Sequence, residues 1–198
     1  MVSVILASGS KTRSKLLKDA GVSFDTVIAK IDEPAIIAAL KASNAKPHDI
    51  VDTLAEYKAA RVGSKHTDKL VIGCDQILVC DKRIYEKAAT IDEARKNLLS
   101  LRGKAHQLLS AVVIFEEGRP VWRHTGRAQL IMRDFSDDFL VHYLQMNGES
   151  ILSSVGCYKI EETGAQLFNR IQGDYFTILG IPLLEVLGFL RTRGVLMQ

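Results

Sequence analysis

With 198 residues, 47% of them hydrophobic and 25% charged, the chain has the composition of a globular protein with a packed core, which excludes a fibrous or disordered one. Its net charge of +3, from 26 basic and 23 acidic side chains, is too even for the basic stripe of a duplex-binding protein, so no nucleic-acid partner is expected. Cys74, Cys80 and Cys157 form no CxxC pair and read as buried thiols of a reducing compartment, and with no legible signal peptide and no apolar run near ~20 residues the expectation is a cytoplasmic protein off the membrane.

Residues 2–7 are a β-branched apolar run and predict a buried strand, turned by Ser8–Ser10 into a helix that carries Leu16, Leu17 and Ala20 on one face and closes at Gly21. Phe24–Ala29 reads as a second strand. Pro34–Ser43 and Pro47–Ser64 read as helices, each with a proline near its start, where the missing N–H costs nothing. Leu70–Cys80 is a continuous apolar run interrupted only at Gly73, Asp75 and Gln76, followed by an Asp81-Lys82 turn and a return at Ile84-Tyr85. Ile91–Leu101 predicts a helix ended by Gly103, and Gln107–Phe115 and Val121–Met132 predict a hairpin about Glu116-Glu117-Gly118. Ser136 caps a helix that runs to Met146, and Pro182–Arg191 is the last helix. Strands and helices intermix rather than strictly alternate. That predicts an α/β fold built on a mixed β-sheet flanked by helices, in one domain over 1–198.

Three charged positions fall where a fold alone would not put them. Arg13 sits in the first turn of a helix, where a cation opposes the dipole. With Ser8, Gly9, Ser10, Lys11 and Thr12 it makes either an anion site or a Ser10 cap with solvated cations. Lys58 shares a helical stripe with Val51, Leu54 and Val62, so it either snorkels to water or reaches an anion. Asp75 interrupts the apolar run beside Gly73, which permits close backbone approach. A carboxylate there pairs, binds a metal, or marks a strand end open to water. Asp32-Glu33, Glu86-Lys87 and Asp174 carry weaker signals, and the five histidines have no metal-ligand spacing. P-loop, dinucleotide-binding, zinc-protease, nucleophile-elbow and EF-hand motifs are absent. What is left, carboxylates and cations scattered along the chain, suits a divalent metal and a polyphosphate.

Taken in order, Leu6-Ala7-Ser8-Gly9-Ser10-Lys11-Thr12-Arg13, Asp32-Glu33, the Lys58-Ala59 helix, Gly73-Cys74-Asp75-Gln76, Glu86-Lys87-Ala88, Leu101 to His106, and Gly173-Asp174-Tyr175 leading to Gly180-Ile181-Pro182 resemble the Maf family over nearly the whole chain. The resemblance implies a Maf and inosine-triphosphatase-like architecture, a homodimer, and house-cleaning hydrolysis of a nucleoside triphosphate to the monophosphate and pyrophosphate with Mg²⁺ or Mn²⁺. It assigns Asp75 as catalytic acid-base residue and metal ligand, Glu33 as a second metal ligand, and Ser8, Ser10, Arg13, Lys58 and Lys87 to the phosphates. Substrate choice falls to Thr12, Gln76 and Glu161. Gln76 and Glu161 resemble the 7-methyl-GTP subgroup more than the dTTP/UTP subgroup, and a carboxylate such as Glu161 suits the N–H donors of guanine. Thr12, however, lacks the aromatic face that would favour a cationic base. The sequence also departs from the family at Lys11 and Ala88, where proline is usual. The alternative function is a non-enzymatic nucleotide-binding regulator of cell division (septum formation), which predicts binding without turnover.

Overall fold

A computed structural model describes residues 2–197. Its elements are β1 (Val4–Ala7), α1 (Lys11–Asp19), β2 (Asp25–Thr26), α2 (Glu33–Ala42), α3 (Pro47–Gly63), β3 (Leu70–Cys80), β4 (Arg83–Tyr85), α4 (Ile91–Leu101), β5 (Ala105–Glu116), β6 (Arg119–Met132), α5 (Asp137–Asn147), β7 (Phe168–Gln172), α6 (Tyr175–Ile178) and α7 (Leu183–Thr192), with 3₁₀ turns at Gly148–Ser153 and Thr163–Leu167. The strands form a sheet in the order β2-β1-β3-β5-β6-β7, with β4 on β3. It is mixed, as expected. β1 runs parallel to β2 and β3, while β4 and β7 pair antiparallel with β3 and β6. Among the described residues no helix is long and apolar enough to cross a membrane.

The chain divides into two compact units. The first is built from Met1–Gln76, Leu109–Gly126 and Asp174–Gln198, the second from Ile77–Leu108 and Arg127–Gly173.

In the first unit the core lies on both faces of β1 and β3. Val4, Leu6, Leu70, Ile72 and Cys74 pack with Val112 and Ile114 of β5, Leu17 of α1, and Leu183, Val186 and Leu190 of α7. On the other face α3 lies directly on β3, because Gly73 carries no side chain there. A Cβ at Gly73 would stand 2.3 Å from the Ala55 carbonyl oxygen and 2.6 Å from the Ala59 nitrogen. Side chains alternate along a strand, so Asp75 shares the α3 face with Gly73, and Gln76 points with Cys74 to the α6–α7 side.

In the second unit α4 and α5 pack against each other and against the 3₁₀ turn at Gly148–Ser153. Arg102 at the end of α4 donates to Asp137 in the first turn of α5 at 2.6 Å. Asp81 and Lys82 both adopt positive φ, the geometry of a two-residue hairpin turn between β3 and β4.

Two expectations need correction. The strand predicted over Phe24–Ala29 shrinks to Asp25–Thr26, because its partner β1 offers only Ile5 and Leu6 before the chain turns at Ser8. The sequence reading also left out β7, α6 and the 3₁₀ turns. β7 is exposed along most of its length and has no apolar alternation to betray it.

Candidate active site

The site is assembled where β1 stops. The last residue of β1, Ala7, pairs with Gly73, and β3 runs on past that point through Cys74 and Asp75 with no β1 partner on that side. The chain leaving β1 turns through Ser8–Ser10 into α1. Ser10 caps the helix, its Oγ accepting from the Arg13 backbone N–H at 3.3 Å. Ser8 Oγ accepts from the Ser10 N–H and from Arg13 Nη1, both at 3.2 Å. First-turn N–H groups of a helix have no partners within it, so this turn presents donors to an anion.

Arg13 is buried, and its guanidinium spans three segments. Besides Ser8, Nη1 donates to the Cys74 carbonyl at 3.0 Å and Nε donates to the Gly180 carbonyl at 2.7 Å. Of the two readings of the Ser8–Arg13 turn, the solvated Arg13 is therefore overturned. A cation with this many fixed acceptors is not a surface side chain.

Lys58 is likewise buried rather than snorkelled. Its ammonium donates to Asp75 Oδ1 and lies 2.9 Å from Glu33 Oε1. Asp75 is 6% exposed, which overturns the reading of a strand end open to water. Burial pushes its carboxyl above the ordinary carboxylate range, against the opposing pull of Lys58 and Arg13. Glu33, the first residue of α2, is half exposed, and Asp32 ahead of it caps that helix by accepting from the Ala35 N–H at 3.1 Å.

Gln76 faces the other side of the strand. The two hydrogens of its Nε2 are shared among three acceptors, the Thr177 and Ile178 carbonyls at 3.1 and 3.0 Å and Ser110 Oγ at 2.9 Å. Carbonyls cannot donate, so the amide has one orientation, with Oε1 left toward Gly180 as an acceptor.

The fold thus brings Ser8, Ser10, Arg13, Glu33, Lys58, Asp75 and Gln76 into the first unit, where Thr12 also lies, on α1. Lys87, after β4, and Glu161, between the two 3₁₀ turns, belong to the second unit. Sequence reasoning missed the Cys74 and Gly180 carbonyls and the Ser110 hydroxyl. Gly180 had a signal in its position before Ile181-Pro182, and its φ of +106° is one that L side chains rarely adopt.

Two carboxylates converge on one ammonium, a donor set able to hold a cation. The residues fit a metal of the Mg²⁺ or Mn²⁺ kind, which is commonly bound by one or two carboxylates with phosphate and water oxygens completing its shell. Among the described residues no group of three or more His, Cys, Asp and Glu side chains is placed to hold a metal ion. An α/β sheet with an acid pair, a buried lysine and a donor-rich turn at one strand end defines a protein able to hold an anion and a cation together. The chain belongs to the Maf family, matching Maf-like protein over residues 3–193. It is 51% identical over 193 residues to a nucleoside triphosphate pyrophosphatase of Caulobacter vibrioides, covering 98% of this chain and 96% of that one. It is 46% identical over 195 residues to a protein of the same name from Ruegeria sp., covering 98% of each. A 7-methyl-GTP pyrophosphatase of Brucella abortus is 47% identical over 190 residues, covering 96% of each.

Proposed function

We propose that this protein hydrolyses a nucleoside triphosphate to the nucleoside monophosphate and pyrophosphate, with a divalent cation held by Glu33 and Asp75. The observation that carries the reading is the single ammonium of Lys58 shared by the two carboxylates, one of them buried, beside the Ser8–Arg13 turn. The names of the relatives agree with it.

The bound cation would supply charge neutralisation on the phosphate oxygens. The rest is the work of the chain's own groups. Asp75 takes a proton from the water that attacks the α-phosphorus. The bond from that phosphorus to the bridging oxygen breaks, and pyrophosphate leaves with the electron pair. A carboxyl whose proton affinity is raised by burial is a better proton acceptor than an ordinary aspartate. Ser8 and the first-turn N–H groups of α1 donate to phosphate oxygens, and Lys58 offsets the charge that grows on them. The resemblance adds Ser10 and Lys87 as further phosphate ligands.

For the base, Gln76 presents an acceptor and suits a group that carries N–H donors. With Glu161 assigned to specificity by the resemblance, a guanine nucleotide such as 7-methyl-GTP is the proposed substrate, and Thr12 replaces the aromatic face expected for a methylated base.

The test is a panel of common and modified triphosphates assayed for pyrophosphate release with Mg²⁺, with Mn²⁺ and with chelator. We expect release with either ion, abolished by chelator, and fastest for a guanine nucleotide. Nucleotide binding without release would instead favour the regulator reading.

A further inference from the structure

We propose that Arg13 is a positioning residue, acting on the phosphates through Ser8 and on Asp75 through the backbone of β3, rather than as a phosphate ligand itself. The proposal takes from the reading above that Ser8 meets phosphate.

The Arg13 guanidinium is held by main-chain and side-chain acceptors on the protein itself. Three of its five N–H donors have fixed acceptors, Nε on Gly180 O and Nη1 on Cys74 O and Ser8 Oγ. These acceptors come from three separate stretches of chain: the turn after β1, the edge of β3 beyond the end of β1, and the turn between α6 and α7. β1 pairs with β3 only as far as Gly73, so the Cys74 carbonyl lies one residue past the last strand partner on that side. Arg13 takes the place of the missing strand and fixes the peptide that leads directly into Asp75.

Gly180 is shaped for the same contact. A Cβ there would stand 3.3 Å from Arg13 Nε and 3.5 Å from Nη2, and its φ of +106° already excludes most side chains. Two turns and a strand edge are thus shaped around a planar fork of donors, a geometry that guanidinium has and ammonium lacks.

The effect on Ser8 follows from counting lone pairs. A hydroxyl oxygen has two, and those of Ser8 accept from the Ser10 N–H and from Arg13 Nη1. Its own hydrogen is therefore free only to donate. Arg13 turns Ser8 from a group that either gives or takes a hydrogen bond into one that gives, the polarity an anionic oxygen requires.

A phosphate ligand and a positioning fork respond differently to a lysine. If Arg13 touched phosphate as a charge, Arg13→Lys would keep kcat within about threefold and Arg13→Gln would mainly raise KM. As a positioning residue, it should lose about 10- to 100-fold in kcat in both variants, with KM changed by less than about threefold, because misplacement of the reacting groups is felt in the chemical step. A second measurement needs no variant and no turnover: side-chain ¹⁵N NMR of the wild-type protein with inorganic pyrophosphate as the probe. The Arg13 Nε–H should exchange slowly in the free protein and keep its shift when pyrophosphate is added. Fast exchange in the free protein, or a shift of the Arg13 guanidinium on adding pyrophosphate, overturns the proposal, as does recovery of kcat by lysine. A wild-type protein that releases no pyrophosphate from any nucleotide would sink the proposed function, and the exchange measurement would still decide the role of Arg13.

Discussion

At Asp75 the demands of stability and of chemistry pull apart. Burial raises its proton affinity in the folded state above that of the unfolded chain. The folded protein therefore binds that proton more tightly, and stability at this position grows as pH falls and is reduced above the folded pKa. Asp75→Asn removes the charge and keeps the shape, while Lys58 retains Glu33 at 2.9 Å. We expect the variant to melt at the same temperature as wild type or a few degrees above it by calorimetry, with kcat down by about 10³-fold. A lower melting temperature would mean that the Lys58 pair outweighs desolvation. The three residues that betrayed the site, Arg13, Lys58 and Asp75, could be seen in the sequence because each places a charge against the local pattern: a cation at a helix start, an ammonium in an apolar stripe, a carboxylate in a buried run. What they bond to could not be seen. The Cys74 and Gly180 carbonyls are main-chain groups that every residue has, and only the fold aims them.

At the scale of elements, the contact that matters most for the site is α3 on β3. Lys58 reaches Asp75 because the helix sits against the strand at Gly73, where a Cβ would meet backbone atoms of Ala55 and Ala59 at 2.3 and 2.6 Å rather than yielding side-chain ends. Backbone cannot move aside cheaply, so Gly73→Ala must push the helix off the strand. We expect a loss of about 2–4 kcal/mol in urea unfolding and, in what remains folded, a fall in kcat as Lys58 withdraws from the carboxylates. Stability unchanged within error would show that α3 does not lie this close. Most elements were legible from their punctuation. Ser10 and Ser136 cap α1 and α5 as read, and Leu70–Cys80 is the strand its apolar run predicts. α6 was lost because it is four residues long, held by Asp174 accepting from the Thr177 N–H at 2.6 Å, and an aspartate in a turn looks the same with or without a helix behind it.

For the molecule as a whole, the division into two units was invisible in sequence because neither unit is a continuous stretch. The chain passes from one to the other four times, within strands β3, β5 and β6 and at the Gly173-Asp174 turn after β7, and no long linker marks a boundary. The second unit holds the clearest titration outside the site. His106 is 1% exposed, packed against Tyr158 and Phe168, with Nε2 at 2.8 Å from the Tyr158 hydroxyl and Nδ1 unpaired among the described residues. Burial lowers its pKa to about 4, from 6.5 in the open chain. Between those two values the unfolded chain holds a proton on this imidazole that the folded protein does not. Its contribution is therefore complete above pH 6.5 and is lost progressively as pH falls toward 4. The full span corresponds to a loss on the order of 3 kcal/mol, a large share of the net stability of a domain this size. Urea midpoints measured from pH 7.5 down to 4.5 should decline through this window. His106→Gln has no proton to gain there, so it should flatten the decline whatever it costs at pH 7.5. If the variant declines as steeply as wild type, the acid sensitivity of this fold comes from its carboxylates, and His106 stays neutral for reasons of its own.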